Sequence, residues 1–339
     1  MSETIRPPFD PEFAGFLAAL SARGPFVLSD ETLPRMRQLD VTEEALDARL
    51  RSRGLERRST TVPGHRGDPI RLAIIQRIGR TGPTAGVFTI HGGGMMFGHH
   101  LSNLESYDAW LLDHDVVLCS VDYRLAPEHP DPFPVEDCYA ALVWVAAHAE
   151  ELSIDPDRLV IAGQSAGAGL AAGTALLARD RGGPAIAAQV LVSPMLDDRD
   201  RSVSTLQIDG VGVADRQMTR AGWEAYLGSR RATDDVSVYA APARATDLTG
   251  LPRTYIDCGS AEVFRDETVA FASGLWAAGV DAELHVWPGA FHGFTSMAPE
   301  AAVSRSATAA LADWTTRLLG PTEPVVGPDG PLDGMTGRA

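Results

Sequence analysis

The chain has 339 residues, is 45% hydrophobic and 22% charged, and carries a formal net charge of −16. Such acidity disfavours a nucleic acid or an anionic membrane surface as a partner, because a polyanion repels it at long range. All 29 basic residues are arginine, which excludes Schiff-base lysines, phosphate-loop lysines and serine–lysine dyads. In chain order, residues 1–50 read as charged amphipathic helices. Short β-branched runs then follow at 70–78, 85–90, 116–121, 158–162, 188–192, 253–258 and 282–287. They alternate with helical patterns at 102–113, 135–149, 166–179, 265–278 and 304–319. This alternation predicts an α/β domain over 51–320, a mostly parallel sheet with helices on both faces and its site at the carboxyl ends of the strands. Residues 197–245 break the pattern with polar, helix-like sequence, and are expected with 1–50 to form a lid. From Gly320 onward proline and glycine dominate, so 321–339 is expected to be disordered.

Cys119, Cys138 and Cys258 form no C-x-x-C pair and are expected to be buried, reduced thiols of a cytoplasmic protein. The N-terminus has no basic region followed by an apolar core. No run approaches the roughly 18 apolar residues of a spanning helix, so membrane insertion is not expected.

Two strings carry the chemistry. Gly163-Gln164-Ser165-Ala166-Gly167 follows the run at 158–162 and opens into a helical stretch. In that context G-x-S-x-G describes a sharp strand-to-helix turn that lifts a serine hydroxyl above the sheet edge. His91-Gly92-Gly93-Gly94 follows the run at 85–90 and offers backbone N–H groups unencumbered by Cβ atoms, as an oxyanion hole requires. A serine hydroxyl needs a general base, and the base needs an orienting carboxylate. Only His285 and His292 lie downstream of Ser165. His285 falls inside the run at 282–287, whereas His292 follows it after a Pro-Gly break, so His292 is the expected base. The acid is expected on the loop after 253–258. Glu262 is the first carboxylate there, Asp266 comes next, and Asp257 still lies within the strand.

These residues resemble a known group. His91-Gly92-Gly93-Gly94, Tyr123-Arg124-Leu125-Ala126-Pro127-Glu128, Gly163-Gln164-Ser165-Ala166-Gly167 and Phe291-His292-Gly293-Phe294 are similar to the motifs of the hormone-sensitive-lipase-like esterases (bacterial family IV) of the α/β-hydrolase superfamily. The resemblance spans about 70–318 and implies a carboxylesterase with a helical cap, acting on small esters with short or medium acyl chains. It also implies an oxyanion hole made by the amides of Gly93, Gly94 and Ala166, and a supporting network around Asp122, Tyr123, Arg124 and Glu128. Gln164 stands where the family often has aspartate, and Glu262 where the family's acid is often aspartate. Met95, Met96, Phe97 and Trp223 are candidates for an apolar acyl pocket. No cofactor or metal is expected, and the chain is expected to be a monomer or a homodimer.

Other patterns in the chain point less strongly. Gly167-Ala168-Gly169-Leu170-Ala171-Ala172 fits the dinucleotide pattern G-x-G-x-x-A, but too far beyond the strand end. His99-His100 lacks a third ligand at metal spacing. An amidase, lactonase or acyltransferase would use the same serine, and a receptor on the same fold would have discarded its chemistry.

Overall fold

A computed structural model describes residues 5–22, 29, 31–38 and 42–320; the expectation for 321–339 falls outside these. Eight strands form one sheet: β1 (Leu55–Pro63), β2 (Pro69–Arg77), β3 (Thr84–Ile90), β4 (Val117–Asp122), β5 (Ile154–Gln164), β6 (Ala188–Val192), β7 (Arg253–Gly259) and β8 (Ala282–Trp287). Their spatial order is β1-β2-β4-β3-β5-β6-β7-β8, with β2 antiparallel to both neighbours and the pairs from β4 to β8 all parallel. This is the fold of an α/β hydrolase.

Seven strands follow the sequence reading to within a few residues; β1 is an addition to it. In β1 only Leu55 and Val62 are buried, and the positions between carry Arg, Ser and Thr. An edge strand with so little core contact leaves no clear alternation to read. The helical pattern at 102–113 also resolves differently. Asn103 takes a left-handed φ of 56°, and a 3-10 turn (Leu104–Tyr107) precedes the short α-helix at Asp108–Asp113.

The remaining helices, in chain order with that one as α4, are α1 (Ala14–Ser21), α2 (Thr32–Met36), α3 (Glu43–Ser52), α5 (Phe133–Ala147), α6 (Ala166–Arg181), α7 (Val203–Gln207), α8 (Arg216–Leu227), α9 (Arg265–Ala277), α10 (Phe294–Met297) and α11 (Ala302–Leu319). Successive strand side chains feed two cores, as the pleat requires. Phe88, Ile161 and Ile256 pack with residues of α5, α6 and α9, whereas Val87, Val160 and Tyr255 pack with residues of α3, α4 and α11. The small residues of α6 let it approach its surroundings closely. A Cβ on Gly169 would lie 2.1 Å from the Met195 carbonyl oxygen, and one on Gly173 would lie 2.0 Å from that of Tyr239. Gly167 and Gly169 are thus interior helix residues at packing contacts, and the dinucleotide pattern is a coincidence of that packing.

Register aligns the strand ends. Ile90 pairs with Gly163, Gln164 with Val192, Val192 with Asp257, and Gly259 with Trp287. The loops after β3, β5, β6, β7 and β8 therefore leave the sheet at one edge. The chain moves outward from β3 to β4 and then returns to β5 on the other side, so the loops after β3 and β5 flank the switch point where ligands bind in such sheets. Among the described residues, no helix is long and apolar enough to cross a membrane.

Candidate active site

Ser165 occupies the turn between β5 and α6 with φ 59° and ψ −126°, a conformation that costs a non-glycine residue on the order of 1–3 kcal/mol. Hydrogen bonds hold it there. Its N–H donates to the Val192 carbonyl at 2.9 Å, and its own carbonyl accepts from Ala168 (3.0 Å) and Met195 (3.1 Å). Gly163 and Gly167 make the turn possible, because a Cβ on Gly163 would meet the Gly167 carbonyl oxygen at 2.3 Å.

The structure brings Ser165, His292 and Glu262 together from three separate loops. His292 Nε2 lies 3.0 Å from Ser165 Oγ, and its Nδ1 lies 3.3 Å from Glu262 Oε1. Glu262 is buried, and its second oxygen accepts from Ser193 Oγ at 2.8 Å and from the Gly259 N–H at 2.7 Å. The anchored carboxylate is placed to accept an Nδ1–H, the arrangement that turns the Nε2 lone pair toward the serine hydroxyl.

The alternative acids and base are engaged elsewhere. Asp266 accepts from the Ser204 N–H at 2.7 Å and pairs with Arg265. Asp257 accepts from Trp287 Nε1 at 3.0 Å, and His285 stacks on Trp287 while its Nε2 lies 2.9 Å from Glu283.

The glycine string crosses in front of the turn. A Cβ on Gly92 would lie 2.9 Å from the Gln164 carbonyl oxygen and 3.3 Å from Ser165 Cβ. Gly93 and Gly94 take φ values of 111° and 59°, and the Gly93 carbonyl accepts from Met96 and Phe97 to fold the loop back on itself. Among the described residues, no group accepts a hydrogen bond from the amides of Gly93, Gly94 or Ala166.

His91 organises this loop as a neutral ring. Burial pulls its pKa down to about 4, its Nδ1 lies 2.8 Å from the Gly92 carbonyl, and it stacks on Tyr123 with ring centroids 4.2 Å apart. The Tyr123 hydroxyl donates to the His91 carbonyl at 2.9 Å. Arg124 pairs with buried Asp137 and with Asp68. Asp122 receives the His100 N–H at 3.1 Å and lies 3.1 Å from His100 Nδ1, so this histidine is held by a carboxylate within the loop network.

Of the candidate pocket residues, Met95, Met96 and Trp223 are buried and Phe97 is half-buried. Trp223 lies on α8, which rests on the glycine loop: a Cβ on neighbouring Gly222 would sit 3.0 Å from the Gly94 carbonyl oxygen. The N-terminal segment grips the other side. Phe13 meets Phe291 edge-on at 4.8 Å and Phe16 stacks on the same ring at 5.2 Å, directly before His292.

Sequence reasoning missed two contributors. Ser193 supports Glu262 from a loop position with φ 45°, which no local pattern announces. Arg37 lies just after α2, far from every motif. Its guanidinium donates to the carbonyls of Met96 (2.7 Å) and Ala126 (2.8 Å) and binds both Glu128 oxygens at 2.7 and 2.8 Å. The Arg37 hydrogen bonds hold the Glu128 carboxyl down at about 2, so the stabilisation is complete above the ordinary carboxylate pKa of about 4.5 and is lost as pH falls from there through about 2. Arg37→Met is expected to lower kcat about tenfold through loss of alignment of the glycine loop, with Arg37→Lys recovering only part, as measured by steady-state kinetics.

The sequence matches a family model described as the alpha/beta hydrolase fold over residues 87–296. It is similar to carboxylesterase NlhH of Mycobacterium tuberculosis, with 35% identity over 271 residues covering 78% of this chain and 81% of that protein. Esterase LipI of the same organism is 34% identical over 226 residues, covering 66% and 69%. Among solved structures, a bacterial heroin esterase superposes with a TM-score of 0.79 at 40% identity, covering 92% of this chain and 98% of that one. Esterase LipW from Mycobacterium marinum does so with a TM-score of 0.77 at 32% identity, covering 94% and 100%. The fold, the matched length and the identity agree with the resemblance carried by the motifs, and the chain belongs to the hormone-sensitive-lipase-like esterases of the α/β-hydrolase superfamily.

Proposed function

We propose that Ser165 is the nucleophile with which this carboxylic ester hydrolase cleaves short-to-medium acyl esters, through an acyl-enzyme. One observation carries the reading: the unbroken line of contacts from Ser165 Oγ through His292 to Glu262, beside amides that have no other partner among the described residues. Ser165 Oγ attacks the ester carbonyl carbon as His292 Nε2 takes its proton. The oxygen that becomes negative is held by the amides of Gly93, Gly94 and Ala166, each worth on the order of 10²–10³ in turnover. Glu262 stabilises the imidazolium, which passes its proton to the departing alcohol. Water, deprotonated by the same imidazole, then attacks the acyl-enzyme and releases the acid and Ser165.

Glu262→Gln is expected to cost on the order of 10³–10⁴ in kcat, because an amide no longer fixes the Nδ1–H tautomer or balances the imidazolium charge. Glu262→Asp, which keeps the charge but draws it back by one methylene, is expected to lose less; kinetics of the two variants side by side check the role.

The contacts of α8 with Gly94 and of Phe13 and Phe16 with Phe291 support residues 1–50 and 197–245 as a cap close above the reacting centre. Met95, Met96, Phe97 and Trp223 then form the apolar wall for the acyl chain. Such a close cap favours small substrates. A series of p-nitrophenyl esters tests this: kcat/KM is expected to be greatest for short and medium chains and at least about tenfold lower for long ones. A maximum at the longest chains contradicts it.

A further inference from the structure

A cavity of about 480 Å³ lies beneath the nucleophile turn, on the face of the sheet covered by α4 and α11. Its volume falls within the range of small-molecule pockets. Ser165, His292 and Glu262 are not among its lining residues, but residues next to the three catalytic loops are. Gln164 precedes the serine, Gly92 precedes the oxyanion glycines, and Thr295 follows the histidine loop. Val190, Val192 and Leu311 give it an apolar body.

Two buried polar groups on its walls share one character. Asp257, 4% exposed, spends one carboxylate oxygen on Trp287 and Tyr255, while Oδ1 is buried with no hydrogen-bond partner among the described residues. His91, also on the wall, points Nδ1 at the Gly92 carbonyl, which leaves buried Nε2 as an acceptor that receives nothing among the described residues. Two unmet acceptors in one cavity call for a donor. Buried polar atoms without partners are costly, and a native structure retains few of them.

The formal charges point the same way. Asp257, Glu105 and Asp108 line the cavity; Asp108 is paired with Arg53 and Glu105 lies 3.6 Å from Arg49, which leaves Asp257 as the carboxylate with no arginine beside it among the described residues. No arginine lines it among the described residues, and His91 is uncharged. Desolvation raises the Asp257 pKa to about 6, which leaves the carboxylate ionised at pH 8.

We propose that this cavity is a second, non-catalytic binding site for a small apolar molecule bearing one protonated primary amine, with its ammonium against Asp257 Oδ1 and its hydrocarbon along Val190, Val192 and Leu311. A primary ammonium supplies several N–H donors and one positive charge, matching the unmet acceptors and the unbalanced carboxylate.

The test is calorimetric titration of the full chain at pH 8 with hexylamine, and with hexanol and hexanoate as partners of equal length but different charge. Because heat of binding is read rather than turnover, the result is independent of whether Ser165 is the nucleophile. Hexylamine is expected to bind saturably at one site, hexanol more weakly, and hexanoate not at all. Asp257→Asn, which keeps the shape of the side chain but not its charge, is expected to weaken hexylamine at least about tenfold. Thr308→Trp, at an exposed α11 position on the cavity wall, is expected to block binding without disturbing the core. It also serves as the test should Asp257→Asn fail to fold. Absence of saturable binding to the unaltered chain, hexanoate binding as tightly as hexylamine, or hexylamine binding unchanged by the substitutions would overturn the proposal.

Discussion

Replacing Ser165 by alanine is expected to leave a folded protein whose kcat for p-nitrophenyl acetate is lower by about 10⁴ or more, roughly 5.5 kcal/mol of lost transition-state stabilisation. Only the Oγ atom is removed. The backbone bonds that hold the turn, from Ser165 N–H to Val192 and from Met195 to the Ser165 carbonyl, do not involve the side chain. Alanine tolerates the φ of 59° about as poorly as serine does, so stability changes little. His292→Ala is expected to cost a similar factor, and the double variant little more than either alone, because the two groups act as one unit. Kinetics of the three variants, together with their denaturant midpoints, separate loss of chemistry from loss of fold. Full multiplicity of the two losses would mean that serine and histidine work independently, contrary to the hydrogen bond between them.

Gly167→Ala is expected to be among the most damaging single-methyl changes, destabilising the protein by about 3 kcal/mol or more. The added Cβ would lie 2.1 Å from the Ile90 carbonyl oxygen and 2.5 Å from that of His91. These are backbone atoms of the strand end and loop that lead into Gly93 and Gly94, so the collision is relieved only by moving that loop or tilting α6. Activity is therefore expected to fall further than stability predicts. Gly15→Ala is the control. It is also in a helix, but its Cβ would have nothing within 4 Å, so it is expected to be neutral or slightly stabilising. Equilibrium urea unfolding of both variants measures the contrast.

What could be read from the sequence follows from which interactions are local. The turn around Ser165 was legible because a strand, a positive-φ residue and close helix contact all impose glycine at fixed offsets. Glu262 and His292 were legible from chain order, and their loops do meet at the serine. β1 was not, because an edge strand with two buried residues has little hydrophobic pattern to show. The start of β5 was hidden for a related reason: Asp155, Pro156 and Asp157 break the apolar run, and its first pairing with β3 comes before a register shift. Ser193 and Arg37 act on groups 69 and at least 59 positions away, through contacts that exist only once the sheet has aligned its loops. The unmet acceptor of Asp257 is likewise a property of the folded interior, since in sequence it is one carboxylate within a strand.

Covalent labelling tests the central claim most directly. Incubation with a p-nitrophenyl phosphonate, followed by intact-mass measurement and peptide mapping, is expected to show one adduct per chain, on Ser165, formed in step with the loss of esterase activity. The same reagent is expected to leave Ser165→Ala unlabelled and to label His292→Ala at a rate lower by orders of magnitude. Esterase activity that survives complete modification of Ser165, or an inactivating adduct on a different residue, would contradict the account.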